Sequence, residues 1–513
     1  MQRPFLFLAI SALVVLGGLL RLYRIGEKGF WWDEVRAMEL AAAPGFQDSL
    51  PVETEMDPAP QLRARFALSS FGDSLRGLRE TFHPPLFSLI LHQWFRLTGG
   101  SEEEVLRLPV ALFGTLAIPL IFLLGTKLFS PGVGAMGAFL FAISPFQIYF
   151  SQELRSYTLW VLLALASYLS LLFLFEPHRR WMPFLLGSLL AAAAYTHYFA
   201  LFLPLSQGLY VATSRRARPY RREWLKALVT AAAGIVLYLP WLMMIQHKTT
   251  PSIWVWEGPL LPQLLESLFS LPVKLLLGPD IGFLFYGLPR FQQTLWILGA
   301  VIWAAPWFYG FLQWLKADPD RADRCRLLLL WLAVPMAVLL FADLARHSVI
   351  LSLSRYFAFA TPALLLLVSA GLLGLRRPLR ACLSLCLIVT FSLLLLRYYH
   401  DPIKQQDWRG LSAFLKTHAS PSDLLVFNQV GRPPWLASLN TLCLTYYQGT
   451  EGHPIYLTGE TLSVKTLQLL ERRRRFWLIP QNRFFNEPGS SFTLTRREEF
   501  EGVGSVALFE KGR

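Results

Sequence analysis

Runs of about twenty apolar residues recur along this chain, each long enough to cross a hydrocarbon core of about 30 Å as a helix. They fall at about 4–20, 105–127, 132–150, 155–175, 181–196, 198–213, 226–244, 293–315, 326–342, 355–374 and 381–397, roughly eleven crossings. With 54% hydrophobic and 16% charged residues over 513 positions, the chain is too apolar for one soluble globule, and a polytopic α-helical membrane protein is expected. The first run exceeds a signal-peptide core and lacks a small-x-small cleavage site before "RLYRIGEKG", so it reads as a retained span.

A formal charge of +14 would suit a nucleic-acid partner, but its distribution excludes that class. The basic residues gather in short segments between apolar runs, at 179–180, 215–226, 316–326 and 376–380. If "HPPLFSLILHQWFRLTG" (83–99) is an interfacial or re-entrant helix, all four segments share one side, which the positive-inside rule makes cytoplasmic. The protein is then expected in the plasma (inner) membrane. The extracytoplasmic side receives 22–104, the turns at 151–157 and 196–199, a loop at about 245–292, the segment 343–356 and everything after about 398. The four cysteines, at 325, 382, 386 and 443, imply neither a disulfide framework nor a zinc site.

After residue 397 the pattern changes to short strand-like runs at 423–428, 454–459 and 475–480 alternating with helical ones, closed by "SFTLTRR" and "GSVALFEK". Two domains are therefore expected: a transmembrane domain over 1–397, whose first external loop is 22–104, and a small external α/β domain over 398–513.

Several ionisable residues fall at the expected external edge. Asp33 and Glu34, framed by Trp31 and Trp32, suit a general base, or equally a solvated juxtamembrane pair inside an aromatic belt. Glu153, Arg155 and Tyr157 in "SQELRSY" read either as a site or as an ion-paired helix anchor. His83, before Pro84 and Pro85, could meet a phosphate or a metal, although a helix-start histidine at the interface is the favoured reading. Arg355 and Tyr356 open a span with no acid within several residues in the chain, which suits either a phosphate clamp or a snorkelling arginine. His197 and Tyr198 suit a cavity wall or plain helix packing. Trp254, Trp256 and Glu257 precede an amphipathic stretch suited to the membrane surface, a weak sign of a sugar or lipid platform.

Taken in order, "FWWDE", "FHPPLFSLILHQWF", "SEEEVLRLPVALFGTLAIPLIFLLGTKLF", "SPFQIYFSQELRSYTLW", "THYF", "SRYFAFATPALLLL" and "DWRGLSAFLK" resemble the GT-C membrane glycosyltransferases. The resemblance is to the bacterial branch related to protein O-mannosyltransferases and to the aminoarabinose and galacturonic acid transferases of lipid A, and it extends to about residue 410. It implies transfer of a hexose or pentose from a polyprenyl phosphate donor to an acceptor hydroxyl on the extracytoplasmic face, with inversion. By that likeness Asp33 matches the catalytic acid of the first loop, and Glu153 falls in the region of a second functional acid. His83 stands where relatives carry a basic residue near the carrier phosphate. Glu34, Arg155, Tyr157, His197, Tyr198, Arg355 and Tyr356 are then expected around the donor.

A divalent ion, Mg or Mn, held by Asp33, Glu153 or His83 is compatible with this chemistry but not demanded, since the leaving phosphate has a low pKa. The expected partners are the lipid-linked donor, membrane lipids and a glycolipid, glycan or protein acceptor. A flippase or transporter of a lipid-linked glycan is the alternative. An assembly protein merely anchored by its spans is a third reading. Transporters usually carry internal repeats and helices broken at mid-membrane, which the sequence does not show.

Overall fold

A computed structural model describes residues 3–42, 52–56, 68–72, 83–100, 102–176, 179–236, 258–279, 308–313, 315–316, 319–428, 434–448, 453–458, 463–481 and 492–512. The chain divides into two compact units. The helical unit comprises Met1–Tyr23, Pro84–Phe87 and Arg107–His400; the sheet unit comprises Arg24–His83, Ser88–Leu106 and Asp401–Arg513.

Among the described residues six helices are long and apolar enough to cross a membrane: Glu103–Leu128, Tyr157–Leu174, Leu260–Leu277, Asp320–Arg346, Ser354–Gly374 and Arg377–His400. The bent pair Pro131–Ile143 and Pro145–Ser151 would make a seventh. Arg3–Leu22, Met182–Ala194, Phe202–Thr213 and Arg221–Val236 form helices where further crossings were expected. The expected run at 293–315 lies largely outside the described residues, as do Trp254, Trp256 and Glu257.

One helix differs from its expected role. Leu260–Leu277 buries a stripe of Leu264, Ser267, Leu271 and Leu275 at helical spacing, so that face packs into the helical unit. Its length and composition allow a crossing that the sequence count did not include.

Close approach in the helical unit rests on small residues. A Cβ added to Gly125 would stand 2.8 Å from the Cα of Gly134, so the helices carrying these two glycines touch backbone to backbone. Elsewhere the core is aromatic, with Tyr168 stacked on Trp331 at 3.8 Å between centroids.

The sheet unit is built on six strands: β1 (Glu55–Met56), β2 (Leu424–Phe427), β3 (Ile455–Leu457), β4 (Arg475–Gln481), β5 (Phe492–Phe500) and β6 (Gly504–Lys511). Their order is β1-β3-β2-β4-β6-β5. The β3-β2-β4 core is parallel, with both outer ends antiparallel. All four residues of β2 are buried, as expected for a central parallel strand covered on both faces.

The last five strands match the expected alternation, whereas β1 comes from the first loop and pairs Glu55 with Tyr456 and Met56 with Ile455. The loop therefore groups with the C-terminal region rather than with the helices, a division different from the expected break at 397/398. Its physical basis is that a hydrogen-bonded strand and the packing of Trp32–Ala42 on Pro434–Gln448 both join the loop to the sheet.

Candidate functional site

The acidic pair opens the helix Trp32–Ala42, with Asp33 and Glu34 in its first turn, where carboxylates suit the helix dipole. Glu34 is fully buried and Asp33 half-buried, so the solvated-pair reading does not describe Glu34. A helix start leaves N–H groups without intrahelical partners. Here residues from the far end of the chain accept from that lead-in. Phe30 N–H donates to Tyr447 Oη at 2.5 Å, and Trp32 N–H donates to Gln406 Oε1 at 3.2 Å.

The Tyr447 hydroxyl donates in turn to Glu103 Oε1 at 2.8 Å, and Arg409 holds the same oxygen at 2.6 Å. Burial, and then the Glu103 carboxylate, push the Tyr447 hydroxyl far above its ordinary pKa, so it stays a donor. Further along the acid helix Arg36 pairs with Glu39 at 2.5 Å. Burial drives the Cys443 thiol well above its usual range, and the carboxylates of Glu39, Asp33 and Glu34 add to the shift.

Glu153, in the helical unit, follows a broken helix. Pro145 has no N–H to give the Phe141 carbonyl, and the chain bends by 55° between Pro131–Ile143 and Pro145–Ser151. Arg21, fully buried, fills the break. It donates to the carbonyls of Phe141 at 3.2 Å, Ala142 at 3.0 Å and Gly17 at 2.9 Å, and to Ser151 Oγ at 3.1 Å. Gln152 donates to the carbonyls of Arg21 (2.9 Å) and Tyr23 (2.8 Å) and accepts from Tyr398 Oη at 3.0 Å. The residues directly before Glu153 are thus held from both sides. Arg155 N–H then donates to the Glu153 carbonyl at 2.6 Å, and Glu153 itself is 1% exposed.

Three motifs far apart in sequence meet beside this turn. His197 stacks on Trp160 with centroids 4.1 Å apart and planes 6° apart, and Trp160 stacks on Phe359 at 4.2 Å. The His197 ring lies 6.1 Å from that of Tyr157 and 5.8 Å from that of Tyr356, and the Arg355 guanidinium lies 5.4 Å from the Tyr356 centroid. Arg355 rides on the 3-10 helix Ser354–Ala360, and the segment leading into that helix is pinned by a buried acid. Asp343 accepts from Ser348 Oγ at 2.5 Å, Ile350 N–H at 2.9 Å and Leu351 N–H at 2.8 Å.

His197 also has a local duty, since its Nδ1 accepts from Phe199 N–H at 3.2 Å, which requires the neutral ring to carry its proton on Nε2. Tyr198 is 40% exposed, and His83, in the sheet unit, is half-buried. Next to His83, Leu86 N–H donates to the Tyr195 carbonyl at 2.9 Å, tying the start of Pro85–Thr98 to the 195–197 hairpin. Among the described residues no group of three or more His, Cys, Asp or Glu is arranged to hold a metal ion.

Sequence reasoning passed over Arg21, Gln152, Asp343, Gln406 and Tyr447. Arg21, a charge in the last turn of an apolar helix, was the one visible signal among them.

Residues 82–244 match the family model for dolichyl-phosphate-mannose-protein mannosyltransferase. The Archaeoglobus fulgidus oligosaccharyltransferase tethered to an acceptor peptide superposes with a TM-score of 0.52 at 11% identity, over 90% of this chain and 64% of that one. The chain thus spans less than two thirds of that relative's length. The archaeal oligosaccharyltransferase AglB from A. fulgidus, in complex with an inhibitory peptide and a dolichol-phosphate, gives 0.51 at 11% identity, over 93% and 69% of the two chains. The fold is GT-C.

ArnT from Cupriavidus metallidurans bound to undecaprenyl phosphate is also similar, with a TM-score of 0.46 at 14% identity over 99% and 98% of the chains. No curated protein sequence matches. The GT-C resemblance expected from the ordered motifs is thereby met by the family model and by solved structures alike.

Proposed function

We propose that this chain is a glycosyltransferase that moves a sugar from a polyprenyl phosphate donor to an acceptor hydroxyl on the extracytoplasmic face, with inversion. One observation carries the reading: "SQELRSY", "THYF" and "SRYF" come together as Tyr157, His197, Arg355 and Tyr356 around a stacked aromatic core. A guanidinium beside aromatic faces suits the phosphate and the first units of an isoprenoid tail. A relative of the same fold was solved with dolichol-phosphate, in line with a lipid-phosphate donor.

In this reading Arg355 and Arg155 hold the donor phosphate, while Tyr157, Tyr356, His197 and Tyr198 line its approach. The Asp33 carboxylate takes the proton of the acceptor hydroxyl as that oxygen attacks the anomeric carbon. The bond from that carbon to the phosphate oxygen breaks, and its electron pair leaves with the polyprenyl phosphate. Glu153 is the second acid, Glu34 supports Asp33, and His83 contributes near the carrier headgroup. No step requires a metal ion held by these residues. The acceptor class is the hydroxyl of a glycolipid, glycan or protein.

The test is Arg355→Ala in the purified protein in lipid, with donor binding and single-turnover transfer measured separately. A fall in donor affinity larger than the loss of rate at saturation is expected. Unchanged affinity would remove Arg355 from the phosphate site.

A further inference from the structure

We propose that Tyr447 and Gln406 are positioning residues through which the C-terminal region sets the backbone ahead of the acid helix and so aims the Asp33 carboxylate. The inference rests on the reading of Asp33 as the base. Phe30 is fully buried and Trp32 half-buried, so both their N–H groups need acceptors that water cannot readily supply.

Tyr447 Oη is fully committed, accepting from Phe30 at 2.5 Å and giving its proton to Glu103 at 2.8 Å, and Arg409 holds that carboxylate in place. The same guanidinium donates to the carbonyls of Glu27 at 2.7 Å and Gly26 at 3.2 Å, so the whole lead-in is gripped. Gly29 lies so close that a Cβ there would be 3.2 Å from Tyr447 Oη. Gln406 Oε1 accepts from both Trp32 N–H at 3.2 Å and Trp408 Nε1 at 2.9 Å, which fixes its orientation. Trp32 opens the helix and Asp33 is the next residue, so a shift at either anchor turns the carboxylate.

The amide and the hydroxyl touch no reacting atom, and their effect is on the rate of the bound complex. A displacement of about 1 Å in a catalytic group costs up to roughly a hundredfold. The experiment uses the full chain in lipid and the undecaprenyl phosphate sugar that the wild type turns over. Tyr447→Phe, Gln406→Leu, Gln406→Glu and Asp33→Asn are compared by transfer rate per bound donor, donor affinity and unfolding midpoint.

We expect the rate per bound donor to fall about tenfold in Tyr447→Phe and in Gln406→Leu with donor affinity unchanged. Gln406→Glu, which keeps an acceptor oxygen, recovers most of the loss. Wild-type rate per bound donor in both Tyr447→Phe and Gln406→Leu, beside an inactive Asp33→Asn, overturns the positioning role and leaves the base in place. A loss seen only as less folded protein or less bound donor overturns it as well. Full activity in Asp33→Asn instead removes the base reading on which the inference stands.

Discussion

The two acid-bearing segments, the helix that opens at Trp32 and the turn that follows Ser151, are held still by opposite hydrogen-bond chemistry. Ahead of the helix the orphaned groups are N–H donors, and side-chain acceptors meet them: Tyr447 Oη at Phe30 and Gln406 Oε1 at Trp32. At the proline break the under-satisfied groups are carbonyls: the many-pronged donor Arg21 meets that of Ala142 and adds a second donor to that of Phe141, which also accepts from Ser144 N–H at 3.4 Å. A helix start calls for acceptors and a helix break for donors, so the residue types recruited at each place follow from which backbone groups are left over.

That contrast can be broken in several ways. The largest effect is expected from Asp33→Asn, which keeps the shape of the first turn but removes the base. Transfer should fall by about 10²–10⁴-fold with donor binding intact. Next, Arg21→Met leaves the buried Ala142 carbonyl without its donor and takes one of two donors from Phe141, and should cost about 3 kcal/mol, read as a lower unfolding midpoint in detergent. Arg21→Lys should restore only part of it, because an ammonium cannot reach all four acceptors in the guanidinium plane.

Gln152→Leu strips one layer from the same brace and should cost roughly 1–2 kcal/mol. The smallest effect belongs to the sheet unit's surface. Glu55→Gln breaks a partly exposed pair with Arg473 and should change stability by roughly 0–1 kcal/mol, least at high salt. A large loss there would mean that β1 is held by the ion pair rather than by its strand hydrogen bonds.

The helical architecture was legible because apolar runs and arginine-rich connections are local signals, as was the alternation that produced β2 to β6. The two-residue strand β1 has no period to detect, and its partner lies some four hundred residues away. "DWRGLSAFLK" was recognisable as a motif, but its purpose appears only in three dimensions. Asp407 caps its helix by accepting from Gly410 N–H at 2.8 Å, Trp408 anchors Gln406, and Arg409 grips the lead-in to the acids.

Of the candidate residues, Tyr157, His197 and Tyr356 share a cluster. The burial of Glu34 and Glu153 could not be read from sequence, because burial of a carboxylate depends on which distant helices close over it.

The central claim is that a lipid-phosphate sugar is the donor and Asp33 the base. The most direct measurement is sugar transfer, or slow donor hydrolysis, by the purified protein in lipid across a panel of polyprenyl phosphate sugars, with Asp33→Asn beside the wild type. Turnover of a donor by the wild type, lost in Asp33→Asn although the donor still binds, is the predicted result. Carrier bound and moved across the bilayer with its sugar bond intact, or equal turnover by both proteins, would contradict it.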